Sequence, residues 1–460
     1  MDISAFGGKK YYISNNGNDE NDGLTPETAW KTIGRMVKGY TAMKAGDVVL
    51  FERGGLWRER FSSKSGITYT AYGTGAKPML YGSPENGANA SMWTLLDGTT
   101  NIWVYGNKLP DVGAIMIDGG KIVGLKELPD LSGNVFYTRN TGKAKLFDVR
   151  AELDENYEFF SEIPSTVKTS AGKLYFRCDE GNPGELFSQI EFNTTGSVIA
   201  NGDATDTHFD NLCIMYTGTH GISSHSTNNM TVTNCEIAYI GGAIMSYDTN
   251  GRASRLGNGI EIYGSAKGFT VHNNYIRQCY DAGATHQYSS GGTENISMND
   301  IVYSDNIIED CIYSIEYFNG VSENDASIRD GRNIAIRNNI LRRAGYGWGN
   351  QRPDANVCAH IKSWTHNNEC DPGTFVIENN IFDRSSSKLV QTVAAYDAWC
   401  PVYNGNTYIQ YIDGGLCEYK SLDLDFNCYA EQAVKYELCD NAANVFFLPE
   451  TYKYNGYLSR

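Results

Sequence analysis

Between Phe209 and Tyr396 one short sequence pattern recurs about every 30 residues. Each copy reads as a strand with alternating apolar residues, an Asn-rich turn, a second strand of Ile or Leu, and another turn. The copies are FDNLCIMYTG, MTVTNCEIAYIGG, FTVHNNYIRQCYDAG, DIVYSDNIIEDCIYS, NIAIRNNILRRAGYG and TFVIENNIFDRSSS. One such unit cannot bury its apolar face alone, whereas a stack of units can. The repeat therefore predicts an all-β chain that folds as a right-handed parallel β-helix.

Asparagine occupies the same turn position in four successive copies, because this residue tolerates left-handed backbone and forms local hydrogen bonds. The four positions are Asn274, Asn306, Asn339 and Asn380. Stacked on successive coils, these side chains are expected to form an asparagine ladder.

The chain divides into three predicted parts. Residues 1–92 are expected to form the first coils and an N-terminal capping helix, with Thr25 as N-cap and Pro26 in the first turn, running to about Met43. Residues 93–192 lack the coil pattern and show alternating strands joined by short turns, which predicts an inserted antiparallel β-sandwich. Residues 193–460 are expected to form the main β-helix and its C-terminal cap.

The bulk composition restricts the partners. The formal charge is −16, from 54 acidic against 38 basic residues, which argues against nucleic acid and membrane surfaces as partners. The eleven cysteines show no metal-ligand spacing, and no cofactor or metal is expected. The carboxylates of NDENDG are compatible with structural Ca²⁺, although a solvated turn is the expected structure. The opening MDISAFGGKK lacks the apolar core of a signal peptide, so a cytoplasmic location is expected, and an exported protein whose signal has been removed is the alternative. The sequence leaves the oligomeric state open.

The strand after each second turn carries the candidate chemistry. Alternate residues of a strand point outward, and equivalent residues on neighbouring coils lie about 4.8 Å apart. With Ile222, Ile260, Ile315 and Ile361 inside, one outward column holds Ser223, Glu261, Glu316 and Lys362. A second outward column holds His225, Tyr263, Phe318 and Trp364. The coil at Gly283 has an ambiguous phase: either Thr285 and Gln287 or Ala284 and His286 face out.

The two glutamates of the first column suit acid–base chemistry on a glycosidic bond. Glu261 and Glu316 lie two coils apart, so their backbones are about 9.6 Å apart. Inverting glycosidases hold their carboxyl groups roughly 6.5–9.5 Å apart and retaining ones about 5–5.5 Å. The spacing favours inversion, whereas Asp281 at the turn into the middle coil would close the gap to a retaining pair. Lys362 beside Glu316 favours a base or nucleophile there and an acid at Glu261.

Aromatic and polar residues around these carboxylates are the predicted sugar contacts. They are Tyr263, His286, Gln287, Phe318, Trp348, Arg352, Lys362 and Trp364. Four insertions beside the same strands, SYDTNGRASRLG, SSGGTENISMN, GVSENDASIRDG and GYGWGNQRPDANVC, are expected to wall the site. For Trp348, packing under its own loop is an equal alternative. The histidines fit no zinc site and are expected in turns or the core.

The chain resembles bacterial β-helix carbohydrate-active enzymes. The opening YYISNNGNDENDGLTPETAWKTI and AGDVVLF carries this resemblance, which implies the fold and not the reaction. The segments VGAIMIDGGKIVG and KLYFRCDEGNPGE resemble the inserted sandwich of hydrolases like the family 120 β-xylosidases. That likeness implies an exo-acting hydrolase with carboxylate catalysts. No carboxylate here occupies the column that holds their catalytic pair, so their residue roles are not carried over.

The sequence thus predicts a glycoside hydrolase, exo-acting on a neutral or weakly charged oligosaccharide. One alternative is a polysaccharide lyase that uses Lys362 as base, with Ca²⁺ or Arg352 neutralising the uronate carboxylate. Against it, no Arg follows on the next coil and the protein is acidic. The other alternative is a glycan-binding β-helix without catalysis, in which Glu261, Asp281 and Glu316 would not converge.

Overall fold

The computed structural model describes residues 6–128, 149–162, 171–247, 253–289, 295–320, 329–352, 357–363, 373–392, 400–419 and 422–449. These residues form three ten-stranded sheets, which the chain visits in turn on each coil. All strand pairs within the three sheets are parallel except one, which joins the strands Gly414–Tyr419 and Leu422–Phe426. The predicted parallel β-helix is therefore confirmed.

The strands of each sheet follow one another along the solenoid. Sheet A contains Lys10–Ile13, Val48–Glu52, Thr68–Tyr72, Thr207–Asp210, Met230–Thr233, Ala266–His272, Ile296–Ser304, Arg329–Arg337, Phe375–Glu378 and Val402–Asn404. Sheet B contains Leu56–Trp57, Met79–Tyr81, Cys213–Thr217, Glu236–Ile240, Tyr275–Cys279, Ile307–Glu309, Ile340–Ala344, Ile381–Ser385, Thr407–Tyr411 and Asn444–Leu448. Sheet C contains Phe61–Ser62, Ile199–Asn201, Ile222–His225, Ile260–Tyr263, Ala282–Ser289, Tyr313–Gly320, Ala359–Ser363, Lys388–Thr392, Gly414–Tyr419 and Leu422–Phe426.

The interior of the coils is a continuous apolar core, because each inward-facing residue stacks on its equivalent in the next coil. On sheet C, Ile199, Ile222 and Ile260 are paired in register and fully buried. Burying a side chain of this size contributes roughly 1.5–3 kcal/mol. The alternation in the sequence therefore fixes which residues face outward.

The asparagine ladder is confirmed and is longer than predicted. The side-chain Nδ2 of each asparagine donates to Oδ1 of the next at 2.9–3.0 Å, from Asn274 through Asn306, Asn339 and Asn380 to Asn406. The ladder ends on Asp440, whose Oδ2 accepts from Asn406 Nδ2 at 2.9 Å. These side chains are buried, so the ladder satisfies polar groups that water does not reach.

The capping helix is shorter than predicted. It spans Ile33–Gly39, and its N-cap is Thr32, whose side chain accepts from the Arg35 backbone N–H. The assignment of Thr25 as N-cap was wrong, because Trp30 pairs with Ile13 as an isolated parallel bridge and extends the sheet instead. The other helices are Val149–Glu152, Pro183–Leu186 and Ala430–Tyr436, with 3₁₀ turns at Ala90–Met92 and Trp348–Gln351.

A two-sheet insert interrupts one coil, between Met79–Tyr81 of sheet B and Ile199–Asn201 of sheet C. One sheet contains Ile122–Val123, Val112–Ile117 and Ile190–Thr194, and the other Leu125–Lys126, Glu158–Ser161, Leu174–Arg177, Ile102–Tyr105 and Trp93–Leu95. The two sheets share an apolar core, which includes Ile115, Phe159 and Phe176. Met116 packs on Met215 of sheet B, so the insert lies against the solenoid. In the described part of the chain, no helix is long and apolar enough to cross a membrane.

Candidate active site

The strand register of sheet C brings the predicted first column together. Ser223 pairs with Glu261, Glu261 with Thr285, Thr285 with Glu316, and Glu316 with Lys362. We call these five residues the outward column. Because the strands are parallel and in register, their side chains leave the same face of the sheet. The two glutamates thus lie two strands apart, as the alternation in the sequence predicts.

The middle coil takes the phase in which Thr285 and Gln287 face outward. His286 points into the core, where its ring lies 5.8 Å from that of Tyr303 and 5.7 Å from that of Tyr317. Burial lowers the pKa of His286 to about 3, so the imidazole is neutral. The assignment of His286 as a sugar contact was therefore wrong, because an inward position on this strand is a core position.

Short side chains on the N-terminal side of Glu261 leave a cavity on the outer face of sheet C. Register places Ala200 and Ser223 on the two strands that precede Glu261. The cavity has a volume of about 880 Å³. Its described lining includes Arg60, Ser197, Ala200, Thr219, His220, Ser223, His225, Met245, Leu256, Glu261, Tyr263, Gln287 and Phe318.

Part of the cavity wall comes from the first predicted insertion. Ile244–Tyr247 and Ala253–Arg255 form an antiparallel hairpin, and the flanking residues Met245 and Leu256 line the cavity. Much of the other three insertions lies outside the described residues.

Glu261 is the carboxyl group that opens on this cavity. Its side chain is 15% exposed, and burial together with the charges of Asp281 and Glu316 raises its pKa to about 8. A hydrogen bond from Gln287 opposes the rise without cancelling it. At neutral pH this carboxyl therefore keeps its proton, which is the state that a general acid needs.

His220 stands beside Glu261, and sequence reasoning missed it as a site residue. Its Nδ1 accepts from the backbone N–H of Asn258 at 3.1 Å, so the neutral ring carries its proton on Nε2. Nε2 lies 3.1 Å from Oε2 of Glu261 and makes no hydrogen bond to any described residue. Burial lowers the pKa of His220 to about 3. The imidazole therefore faces the carboxyl with an N–H group.

Asp281 and Arg352 form a buried ion pair rather than part of the cavity lining. The Arg352 guanidinium also lies 5.8 Å from the Tyr280 ring and 5.9 Å from the Tyr313 ring. The Arg352 guanidinium, held between these contacts, fixes the position of the Asp281 carboxylate. Arg352 therefore binds Asp281, and the described cavity lining does not include it as a sugar contact.

Trp348 takes the packing alternative. Its side chain is 2% exposed, its Nε1 donates to the Gln278 carbonyl at 2.8 Å, and its ring centre lies 5.1 Å from that of Tyr280. Stacking on a sugar requires an open ring face, so the assignment of Trp348 as a sugar contact was wrong.

Glu316 and Lys362 lie deeper than Glu261. Each is 3% exposed, and neither is among the described residues that line the cavity. The Lys362 ammonium donates to Gln391, which in turn donates to Glu418. Burial lowers the pKa of Lys362 to about 8, against the opposing effects of Glu316 and Glu418. The outward column therefore continues beyond Lys362 as a line of charged and amide side chains.

The second column flanks the cavity with rings. The ring centres of His225 and Tyr263 are 5.5 Å apart with an interplanar angle of 25°. Gln287 and Phe318 continue the column on the next two strands. Trp364, predicted as its next member, lies outside the described residues. Three of these side chains have rings, and ring faces suit the C–H surfaces of sugars.

Among the residues that the structure describes, no group of three or more His, Cys, Asp or Glu is arranged to hold a metal ion. The described cysteines are Cys178, Cys213, Cys235, Cys279, Cys311, Cys358, Cys400, Cys417, Cys428 and Cys439, and all are free thiols.

No family model matches the sequence, and no curated protein matches it. Similar solved structures include the complex of XylC with xylose, at 12% identity and a TM-score of 0.37, covering 96% of this chain and 87% of that chain. The GH136 lacto-N-biosidase from Eubacterium ramulus has 11% identity and a TM-score of 0.36, covering 96% and 68%. An alginate lyase from a Paenibacillus strain has 11% identity and a TM-score of 0.39, covering 91% and 96%.

Hydrolases and lyases are both present among these structures, in agreement with the broad resemblance to β-helix carbohydrate-active enzymes. The narrower likeness to family 120 β-xylosidases stays a prediction. With TM-scores below 0.5 and identities of 12% or less, none of these similarities assigns an activity or a substrate to this chain.

Proposed function

We propose that the protein is a carbohydrate-active enzyme of the glycoside hydrolase class, with Glu261 as its general acid. The observation that carries the proposal is a protonated carboxyl that opens on a cavity of about 880 Å³ beside a column of rings. In this reaction Glu261 gives its proton to the glycosidic oxygen as the C–O bond breaks. Water adds to the anomeric carbon, and its proton passes to a second carboxylate.

Glu316 is the proposed second carboxylate. It shares the outward column with Glu261 two strands away, a backbone separation of about 9.6 Å, which favours inversion. Asp281 is held by Arg352, and its negative charge supports the raised pKa of Glu261. We therefore assign Asp281 to keeping the acid protonated, whereas a retaining mechanism would require it as nucleophile.

Exo action is supported by the shape of the cavity. Arg60 and the segment 195–197 lie at its N-terminal end, beside the first strands of sheet C. The segment 195–197 and the strands that carry Met245 and Arg255 wall this cavity, and a walled cavity suits the end of a chain better than its middle. The proposed substrate is therefore the terminal unit of an oligosaccharide, and Tyr263 and Phe318 offer ring faces to it.

A polysaccharide lyase is the second candidate, because Lys362 has a pKa near 8, as a base needs. In that reaction Lys362 would take the proton α to a uronate carboxylate, and elimination would leave an unsaturated sugar. The ammonium is bound to Gln391, and Gln391 occupies the next position of the column. Neutralisation of a uronate there would fall to Arg352, whose charge acts on Lys362 but whose guanidinium pairs with Asp281.

The test is a panel of oligosaccharides incubated with the full chain. A hydrolase releases reducing ends without near-ultraviolet absorbance, whereas a lyase produces an unsaturated sugar that absorbs. We expect Glu261→Gln to lower kcat by about 10²-fold or more, in the range that general acid catalysis contributes. The matched control is Glu378→Gln on sheet A, which we expect to retain activity. Full activity of both Glu261→Gln and Glu316→Gln would contradict the proposal.

A further inference from the structure

Arg60 lines the cavity beside the first strands of sheet C, and its guanidinium has no carboxylate partner among the described residues. Arg58, two residues earlier, shows the usual arrangement, with both of its terminal nitrogens on Glu191 at 2.6 and 2.7 Å. Arg352 likewise pairs with Asp281. Arg60 is therefore a cation that the fold places at a cavity without neutralising it.

The orientation of this guanidinium is fixed by backbone carbonyl groups. Nη1 donates to the carbonyl of Thr195 at 2.8 Å, and Nη2 donates to those of Gly82 and Thr194 at 2.7 and 2.8 Å. A Cβ on Gly196 would lie 2.9 Å from Nη1, so the segment 195–197 closes over the guanidinium. Carbonyl dipoles orient the group and leave its charge in place. Burial lowers the pKa of Arg60 to about 10, with no opposing anion.

Two hydroxyl groups share this end of the cavity. Ser197 and Ser223 both line it, and neither hydroxyl makes a hydrogen bond to another described residue. Glu261, which also lines the cavity, has its pKa raised to about 8 and therefore adds no negative charge at neutral pH. Nη2 also donates to Thr194 Oγ1 at 2.8 Å, so one N–H of Nη1 remains for a ligand. This N–H, with the charge of the guanidinium and the neighbouring hydroxyl donors, is complementary to a carboxylate, because charge-assisted hydrogen bonds are the strong ones.

We propose that Arg60, with Ser197 and Ser223, forms a subsite for the carboxylate of an acidic terminal sugar. This inference rests on the proposed function and names its substrate class. Arg60 and Glu261 are three strand spacings apart, roughly 14 Å between backbones, so the carboxylate lies away from the bond that is cleaved. An oligosaccharide with one acidic end unit is still weakly charged, as the sequence predicts.

The experiment measures binding and not turnover. Glu261→Gln protein is titrated calorimetrically with short oligosaccharides that end in glucuronate or galacturonate, and with matched ones that end in glucose or galactose. We expect the acidic ligands to bind about tenfold more tightly or better, since a charge-assisted hydrogen bond is worth roughly 1.5–3 kcal/mol. Adding Arg60→Gln should remove this preference, and Arg60→Lys should keep part of it.

Arg53→Gln is the matched control, because Arg53 donates to the Gly75 carbonyl outside the cavity. It should leave the preference unchanged. Because Arg60 also holds a segment of backbone, Ser197→Ala with Ser223→Ala provides a second variant that retains the guanidinium. We expect this double variant to weaken the binding of acidic ligands several-fold and the binding of neutral ligands less. Thermal melting of each variant establishes that the fold is kept.

Equal binding of acidic and neutral ligands would overturn the subsite, and so would a preference that survives Arg60→Gln. Tighter binding of sulfated than of carboxylated ends would overturn the carboxylate assignment. Failure of the hydrolase proposal looks different, because the wild-type chain would then release no reducing ends while the binding preference persisted.

Discussion

His220 Nε2 lies 3.1 Å from Glu261 Oε2, and the proton on this nitrogen is fixed by the backbone N–H that Nδ1 accepts. We expect His220→Asn to keep an acceptor for Asn258 while removing the N–H group beside the carboxyl. The N–H group faces Glu261 without a hydrogen bond in the described structure, and its dipole still favours the charged carboxylate. Its removal should therefore move the high-pH limb of activity to higher pH. We also expect kcat to fall about tenfold or more as the carboxyl loses its orientation.

The measurement is a pH profile of kcat and kcat/KM for the wild type and His220→Asn. His225→Asn is the matched control, because His225 is an exposed member of the second column without contact to Glu261 in the described structure. We expect His225→Asn to change KM more than the pH at which activity declines. An unchanged profile for His220→Asn would exclude a positioning role.

The pKa of Glu261 also predicts the pH range of activity. The acid must carry its proton, and its pKa is raised to about 8. We expect kcat/KM to decline above about pH 8, and Glu261→Gln to abolish this limb together with most of the activity. Initial rates of reducing-end release between pH 5 and pH 10 would establish this. A decline near pH 5 would show that Glu261 is ionised in the working enzyme.

The same shift makes the stability of the fold depend on pH. A carboxyl group whose folded pKa of about 8 exceeds its unfolded value near 4.5 binds more protons in the folded state. Its stabilising contribution is therefore complete below about pH 4.5 and is lost as pH rises to 8. We expect Glu261→Gln to be more stable than the wild type at pH 9, by on the order of a few kcal/mol. Urea unfolding at pH 5 and pH 9 measures the difference in free energy of unfolding between Glu261→Gln and the wild type. The same difference at both pH values would contradict the prediction.

Thr285 stands between the two glutamates, and its buried hydroxyl has no hydrogen-bond partner among the described residues. Valine has the same shape without the hydroxyl, so we expect Thr285→Val to raise the free energy of unfolding by about 1 kcal/mol. Thr270→Val, at an outward position of sheet A, is the control. A loss of stability or activity in Thr285→Val would show that this hydroxyl bonds one of the glutamates in solution.

Asn306 is central to the ladder, where its side chain accepts from the backbone and Nδ2 of Asn274 and donates to the Val271 carbonyl and to Asn339. Its removal leaves several buried groups unpaired, each worth about 1–3 kcal/mol. We expect Asn306→Ala to cost about 3 kcal/mol or more in urea unfolding. The exposed Asn228→Ala should change stability by less than about 0.5 kcal/mol. Similar effects for the two variants would contradict the role of the ladder.

The solenoid and its outward column were predictable because both depend on a period of two that recurs at each coil. Ile222, Ile260 and Ile315 fix the inward phase, and Glu261 and Glu316 follow from it. The ladder was predictable for the same reason. On the strand at Gly283 the sequence did not decide which residues face outward, because Ala284 and Thr285 are both small enough for either face.

The position of the cavity was not predictable in this way. It depends on the strands Phe61–Ser62 and Ile199–Asn201, which are neighbours in sheet C but are separated in sequence by the insert. The role of His220 depends on a hydrogen bond to the next coil, which no local pattern reports. The helix start depends on the bridge between Ile13 and Trp30, a tertiary contact that overrides the capping signal at Thr25.

The asparagine ladder has a direction, and this direction sets a condition on where the stack of coils ends. Every amide from Asn274 onward donates to the next coil, so the final member must receive hydrogen bonds and give none. Asp440 meets this condition, since both of its side-chain oxygens accept, from Gly405, Asn406 and Tyr408. An insertion of further coils would be tolerated before this residue and not after it. The Asp440 carboxylate thus ends the ladder of hydrogen bonds, whereas each asparagine before it can pass the ladder on to a further coil.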